Sequence, residues 1–176
     1  MEEIFGDRNL HNTVYVTANS YAEDISHGVF HAIESVLSEW NEELGTVLPA
    51  DVTNAAVDGF ETYPDKRLIV HCMQPHQPWI GPTAETIRKR SEVSGWRHTR
   101  VEGDYGRGGF GLVRDGVISQ DEMRQAYKGS LKLILDHVSR LTDSVPGRAV
   151  ITADHAELLG ERAIPLSRSL YGHPKT

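Results

Sequence analysis

Arg67-Leu68-Ile69-Val70-His71-Cys72-Met73 is a near-continuous apolar run, bounded upstream by Tyr63-Pro64-Asp65. It reads as a strand buried on both faces, the pattern of a parallel sheet. The residues that follow, Gln74-Pro75-His76-Gln77-Pro78-Trp79-Ile80-Gly81-Pro82, cannot continue regular strand pairing because proline donates no ladder hydrogen bond. The strand is therefore expected to end with this run, at Met73.

Outward from this strand, Pro49 to Tyr63 can hold a short helix, stopped by Pro64. Val29, Ile33, Val36, Leu37 and Trp40 fall at helical spacing and predict a helix from about Val29 to Trp40. Thr13-Val14-Tyr15-Val16-Thr17-Ala18 is β-branched and aromatic, a strand that turns at Asn19-Ser20. Downstream, Thr83 to Arg90 is helix-compatible, and the glycine-rich, weakly patterned stretch from Ser91 to Gly116 reads as an excursion or lid.

The clearest helix runs from Ser119 or Gln120 to about Leu141, where Met123, Tyr127, Leu131, Ile134, Val138 and Leu141 form one apolar stripe. Ser119 and Glu122 fit a capping box at its start. Pro146-Gly147 then breaks the chain, and Arg148-Ala149-Val150-Ile151-Thr152-Ala153 is expected to be the next buried strand, with Asp154-His155 at its end. Strand, long helix and strand make a right-handed parallel crossover. The expected fold is α/β, a mainly parallel sheet flanked by helices, in a single domain over residues 1–176.

Length and charge narrow the function classes. With 176 residues the chain can bury one sizeable core. No apolar run approaches the roughly 20 residues a membrane span requires. The start, Met1 to Arg8, is acidic and lacks a hydrophobic signal region, and the one cysteine, Cys72, excludes an internal disulfide. The single cysteine fits a reducing compartment or simple disuse of cysteine, and a cytoplasmic location is expected. A formal net charge of -7 repels nucleic-acid phosphates, so no nucleic-acid partner is expected. Arginine outnumbers lysine, a bias shared by salt-adapted proteins and many ordinary acidic ones. There is no internal repeat and no low-complexity segment.

Both apolar strands end in groups that can bind metal. The first delivers His71 and, across the proline-stiffened turn, His76; the second delivers Asp154 and His155. Ligands of open parallel sheets bind at the carboxyl ends of strands, so both sets are expected to face one crevice. Imidazole nitrogen with carboxylate oxygen suits zinc or manganese better than calcium. His173, in Tyr171-Gly172-His173-Pro174, can return to the same edge. Each residue also has a plainer role. His71 can be a hydrogen-bonded core histidine, His76 and His173 exposed surface histidines, and Asp154 the N-cap of a helix over Ala156-Glu157-Leu158-Leu159.

The block Val150-Ile151-Thr152-Ala153-Asp154-His155-Ala156-Glu157-Leu158-Leu159-Gly160-Glu161, followed by Tyr171-Gly172-His173-Pro174, resembles the signature of the alkaline phosphatase superfamily, in its sulfatase-like and phosphoethanolamine-transferase-like branches. The resemblance is strongest to sulfatase-like proteins of halophilic archaea, whose segments read much like Asn12 to Asn19, Leu68 to Pro78 and Ala126 to Leu131. It implies an alkaline-phosphatase-like fold, of which this chain is the C-terminal portion. It also implies a site for phosphoryl or sulfuryl transfer on a small anionic ester. Asp154 and His155 match residues that bind a divalent metal. His71 and His173 match further metal positions, and His76 one that meets the substrate's anionic oxygens. Glu157 and Glu161 are expected to orient ligands or fix the turn.

Two departures accompany the likeness. Family enzymes open with a strand carrying an acidic metal ligand and then a Thr, Ser or modified Cys nucleophile, and no such pair precedes Thr13; the chain is expected to begin after those elements. Ala156 also replaces the usual glycine. The expected function is a metal-dependent hydrolase or transferase of phosphate or sulfate esters, or a truncated or inactive relative. The alternative is a non-catalytic metal- or anion-binding module, and a third reading is a structural domain completed by another chain. Missing sheet neighbours would leave edges that promote self-association.

Other candidates carry less. Gly106-Arg107-Gly108-Gly109-Phe110-Gly111 follows no buried strand and reads as a flexible loop rather than a phosphate cradle. His27 and His31, one helical turn apart, lack a third ligand. Cys72 is expected to be a packed thiol, and Trp79 to pack under the turn at His76. Trp96-Arg97-His98-Thr99-Arg100 reads as a solvated loop, and Thr17 and Thr152 as β-structure residues.

Overall fold

A computed structural model of the chain describes residues 9–24, 28–91, 108–162 and 169–173. His27, the Trp96 to Arg100 stretch, most of the expected excursion and Gly106-Arg107 lie outside the described residues. The chain divides into two compact units, one of Met1–Glu42, Thr46–Met73 and Leu133–Gly147, the other of Glu43–Gly45, Gln74–Lys132 and Arg148–Thr176. The class is mixed α/β.

The first unit is built on a three-stranded, wholly parallel sheet. Strand β1 (Leu10–Thr17) lies between β2 (Phe30–Ser35) and β5 (Arg67–His71). Register runs from Thr13 against Arg67 to Thr17 against His71 on one side, and from Val14 against Ala32 to Thr17 against Ser35 on the other. As the centre strand, β1 is buried from Thr13 through Thr17. Its alternation splits two clusters. Val14 and Val16 join Val36, Val47, Val52 and Ala56, while Tyr15 joins Ala22, Val29 and Phe30. Helix α1 (Pro49–Thr62) opens with proline at its first position, where a missing N–H costs nothing, and buries Val52, Ala56 and Gly59. A Cβ on Gly59 would meet Val16 at 3.6 Å, an ordinary packing distance, so this face of the helix lies directly on β1. Between β2 and α1 lie a 3-10 turn (Leu37–Glu39) and the short antiparallel pair β3 (Trp40–Asn41) and β4 (Thr46–Val47).

Several expectations are corrected here. The helix expected from Val29 to Trp40 is instead β2, the 3-10 turn and β3. Helical spacing of its apolar residues is outweighed by the parallel ladder that β1 offers to Phe30–Ser35. β5 is a strand, as expected, but an edge strand only partly buried, with Arg67 and Ile69 exposed. No strand forms over Arg148 to Ala153. That segment is exposed throughout, with Val150 89 % and Ile151 63 % accessible, and it pairs with none of the described strands. The expected crossover therefore lacks its last strand, because β-propensity becomes a strand only where a neighbour accepts its hydrogen bonds. Asp154-His155 accordingly stands in an exposed bend.

The second unit holds α2 (Pro82–Ser91), α3 (Gly109–Arg114), the first half of α4 (Gln120–Ser144) and a hairpin of β6 (Leu158–Glu161) with β7 (Leu170–Gly172). Its core gathers Trp79, Ala84, Ile87, Phe110, Leu112, Ile118, Met123 and Ala126, with Tyr127, Leu159 and Tyr171 packed against them. Residues 108–111, expected to be part of a flexible loop, are a helix start pressed on Trp79. A Cβ on Gly109 would fall 2.3 Å from the indole ring, so glycine is required for close approach. Among the described residues no helix is long and apolar enough to cross a membrane.

Candidate metal centre

Three side chains of the second unit converge. His76, Glu157 and His173 each offer one ligand atom, and the three atoms lie within 4.8 Å of one another. The local sequence explains the meeting. In the β6–β7 hairpin Leu158 pairs with Gly172, so Glu157 and His173 flank the last pair and stand across from each other. His76 sits in the turn Gln74–Pro78, both of whose X-Pro peptide bonds are cis. All three are fastened to the same core, through Trp79 three residues after His76, Leu159 two after Glu157 and Tyr171 two before His173. Trp79 meets Phe110 edge-on at 5.5 Å, and Phe110 meets Tyr171 at 6.3 Å. Helix α4 grips the hairpin by hydrogen bonds from Gln120 Nε2 to the carbonyls of Leu159 and Gly160, and from Arg124 Nε to Leu159. Gly160 has φ +93 and no room for a Cβ beside Gln120.

Glu157 is the unusual member. Its side chain is only 4 % exposed, and neither carboxylate oxygen has a hydrogen-bond partner. Its polar neighbours are His76 Nε2 and His173 Nε2, each 3.7 Å from Oε1. An ionised carboxylate so placed loses its hydration without recovering it. Burial accordingly pushes its pKa up to about 7, against the opposing pull of His155. Tyr127, raised by burial and then by the Glu157 charge, is a further neighbour.

The histidines are set up to donate lone pairs. His76 Nδ1 lies 2.6 Å from the carbonyl oxygen of Gln77, which can only accept. Nδ1 therefore carries the hydrogen, and in the neutral ring Nε2, the atom that faces Glu157, holds the lone pair. His173 is pulled below its ordinary pKa by burial and by the neighbouring His155, only partly offset by Asp154, so its neutral form is favoured. The three rings lie against one another, His155 tilted on His173 with centroids 4.1 Å apart and His173 edge-on to His76 at 5.2 Å.

The residues singled out from sequence divide as follows. His76 and His173 meet at Glu157. His155 lies against His173, its Nδ1 donating to the Ala156 carbonyl at 3.1 Å and its Nε2 3.8 Å from Asp154 Oδ1. Asp154 is exposed and accepts the His155 backbone N–H. His71 belongs to the first unit, where its Nδ1 is 2.6 Å from the Tyr15 hydroxyl. His31 is exposed in β2 and meets Tyr63 edge-on. Thr17 is buried and accepts from the Asn19 N–H, while Thr152 is exposed outside any strand. Glu161 lies at the end of β6 and accepts from the Leu159 N–H. Glu157 is the residue that sequence reasoning undervalued. Its signal was a carboxylate in the Asp154-His155-Ala156-Glu157 block, next to an apolar Leu-Leu pair that pulls it inward.

Compared with known proteins, the chain matches no family model, no curated protein and no solved structure.

Proposed function

We propose that this chain is a divalent-metal-dependent hydrolase or transferase of phosphate or sulfate esters. The carrying observation is Glu157, a buried carboxylate without hydrogen bonds, with the Nε2 atoms of His76 and His173 each 3.7 Å from its Oε1. Two nitrogens and one oxygen are a zinc- or manganese-type donor set, and the residues fit such an ion. A bound divalent ion would polarise the transferred group and stabilise charge on its oxygens. The rest falls to the chain: His76 and His173 bind and orient, and the Trp79 core holds their turns in place. The likeness of residues 150–161 and 171–174 to the alkaline phosphatase superfamily supplies the ester class.

A non-catalytic metal-binding module is the second reading, favoured by a specific observation. Two of the candidate nucleophiles, Thr17 and Cys72, are poorly placed to attack. Thr17 is buried and its hydroxyl oxygen occupied, and burial pushes the Cys72 thiol up to about 12. Metal analysis of the purified protein, followed by assays on p-nitrophenyl phosphate and p-nitrophenyl sulfate, separates the readings. Stoichiometric metal with metal-dependent turnover supports the enzyme. Metal without turnover supports the module, and no metal removes both.

A further inference from the structure

The family likeness assigns metal to Asp154, His155, His71 and His173, and leaves Glu157 a supporting role. The geometry points elsewhere. We propose that His76, Glu157 and His173 are the protein ligands of a zinc ion whose fourth position stays open, with Asp154 and His155 outside the ligand shell. This rests on the metal-dependent reading above and names its ligand set.

Distances come first. Around a tetrahedral zinc with bonds of about 2.1 Å, neighbouring ligand atoms stand roughly 3.4 Å apart. The two edges from Glu157 Oε1 to His76 Nε2 and His173 Nε2 are 3.7 Å. Those two edges close by a few tenths of an ångström, and the third, between the two imidazoles, lies within 4.8 Å and closes by up to about 1.4 Å through rotation of the half-exposed His173 side chain. Burial comes second. The Glu157 side chain is more than nine-tenths buried with both oxygens unpartnered, whereas Asp154 is exposed and already spends an oxygen on a backbone N–H. A buried carboxylate is tolerated when a cation balances it, and an exposed one needs none. Support of the ligands comes third. The His76 Nδ1 bond to the Gln77 carbonyl fixes the tautomer and aims Nε2, the usual arrangement for a metal-bound histidine.

Three ligands with a vacant fourth position describe a site that can hold water or an ester oxygen, unlike a closed structural zinc site. His155, tilted against His173, and the exposed Asp154 then stand at the rim, placed to meet an arriving ligand rather than the ion.

The test is titration of the metal-free full chain with Zn²⁺ against a chromophoric chelator, in wild type and in Glu157→Gln, Asp154→Asn and His71→Gln. One equivalent of zinc is expected, with affinity falling at least about 100-fold in Glu157→Gln and changing less than about threefold in the other two. Circular dichroism checks that each variant is folded. X-ray absorption at the zinc edge of the wild type gives an answer that needs no variant: two imidazoles, one carboxylate oxygen, no sulfur. Unchanged affinity in Glu157→Gln, a large loss in Asp154→Asn, or a sulfur or third imidazole in the shell would overturn the assignment. Zinc held as proposed without ester turnover defeats the enzymatic reading alone. Metal-dependent turnover that survives Glu157→Gln defeats the ligand assignment alone.

Discussion

Cys72 follows β5 directly and packs against the cluster of Val14, Val16 and Val52. Its surroundings are apolar, and burial raises its pKa to about 12. Only the thiolate attacks a disulfide reagent, and a free cysteine has a pKa near 8.5. At pH 8 the native thiolate population should thus be lower than that of the unfolded chain by about a thousandfold. The expected outcome is slow labelling by a chromogenic disulfide in buffer and rapid labelling in denaturant. Comparable rates in both would show the thiol to be accessible and its environment polar. The same reasoning separates Cys72 from Glu157. Both are ionisable groups disfavoured by burial, but only the carboxylate has two imidazole nitrogens beside it, and that juxtaposition makes a site out of a penalty.

At the level of elements, the start of α4 is a capping box whose parts are all in place. The Ser119 N–H and hydroxyl donate to Glu122 Oε2 at 2.8 and 3.0 Å, and the Glu122 N–H returns to the Ser119 hydroxyl at 3.2 Å. Arg90, from the end of α2, adds an ion pair to Glu122 at 2.6 Å. Ser119→Ala should destabilise the chain by about 1 kcal/mol in denaturant titration. The pairing with Arg90, then the Ser119 bonds, hold the Glu122 carboxyl at about 2, below the usual 4.5. A depressed carboxyl favours the folded state above the unfolded pKa and loses that contribution as protons are added. The stability gap between wild type and Glu122→Gln should therefore be widest above about pH 4.5 and close as pH falls towards 2. A gap independent of pH would mean that Glu122 acts through packing alone.

This helix was legible because its start signal, its stripe and its length all agreed, and local consistency needs no partner to be recognised. β1, α1 and α2 were legible for the same reason. β2 was not, because Phe30 to Ser35 carries a pattern compatible with either period and only the neighbouring β1 decides between them. The β6–β7 hairpin was hidden for a related reason. Its two strands are separated in sequence by residues 163–168, outside the described residues, so nothing local showed that Glu157 would face His173. His76 and His173 could be picked out by residue type and motif. Their shared carboxylate could not, since its burial is a property of packing.

For the whole molecule, the feature that departs most from an ordinary folded surface is the stretch from Arg148 to Ala153. Sequence reads it as a core strand, yet Val150 and Ile151 project into solvent side by side. β5, in turn, is the edge of its sheet, with Ile69 exposed. Adjacent apolar side chains in water favour association, and the edge of a sheet is a template for pairing between chains. We therefore expect concentration-dependent self-association through this stretch, with a second copy of the chain as the partner. A net charge of -7 weakens the tendency at low salt and should let it strengthen as salt screens the repulsion. In sedimentation velocity, raising protein or salt concentration should shift the boundary towards a dimer or larger species, and Val150→Lys with Ile151→Lys should restore the monomer. Because neither side chain is packed in the monomer, the double substitution should change unfolding stability by less than about 0.5 kcal/mol per site. A monomer at every concentration would remove the association. A large loss of stability in the double variant would instead show that the two residues are packed within their own chain.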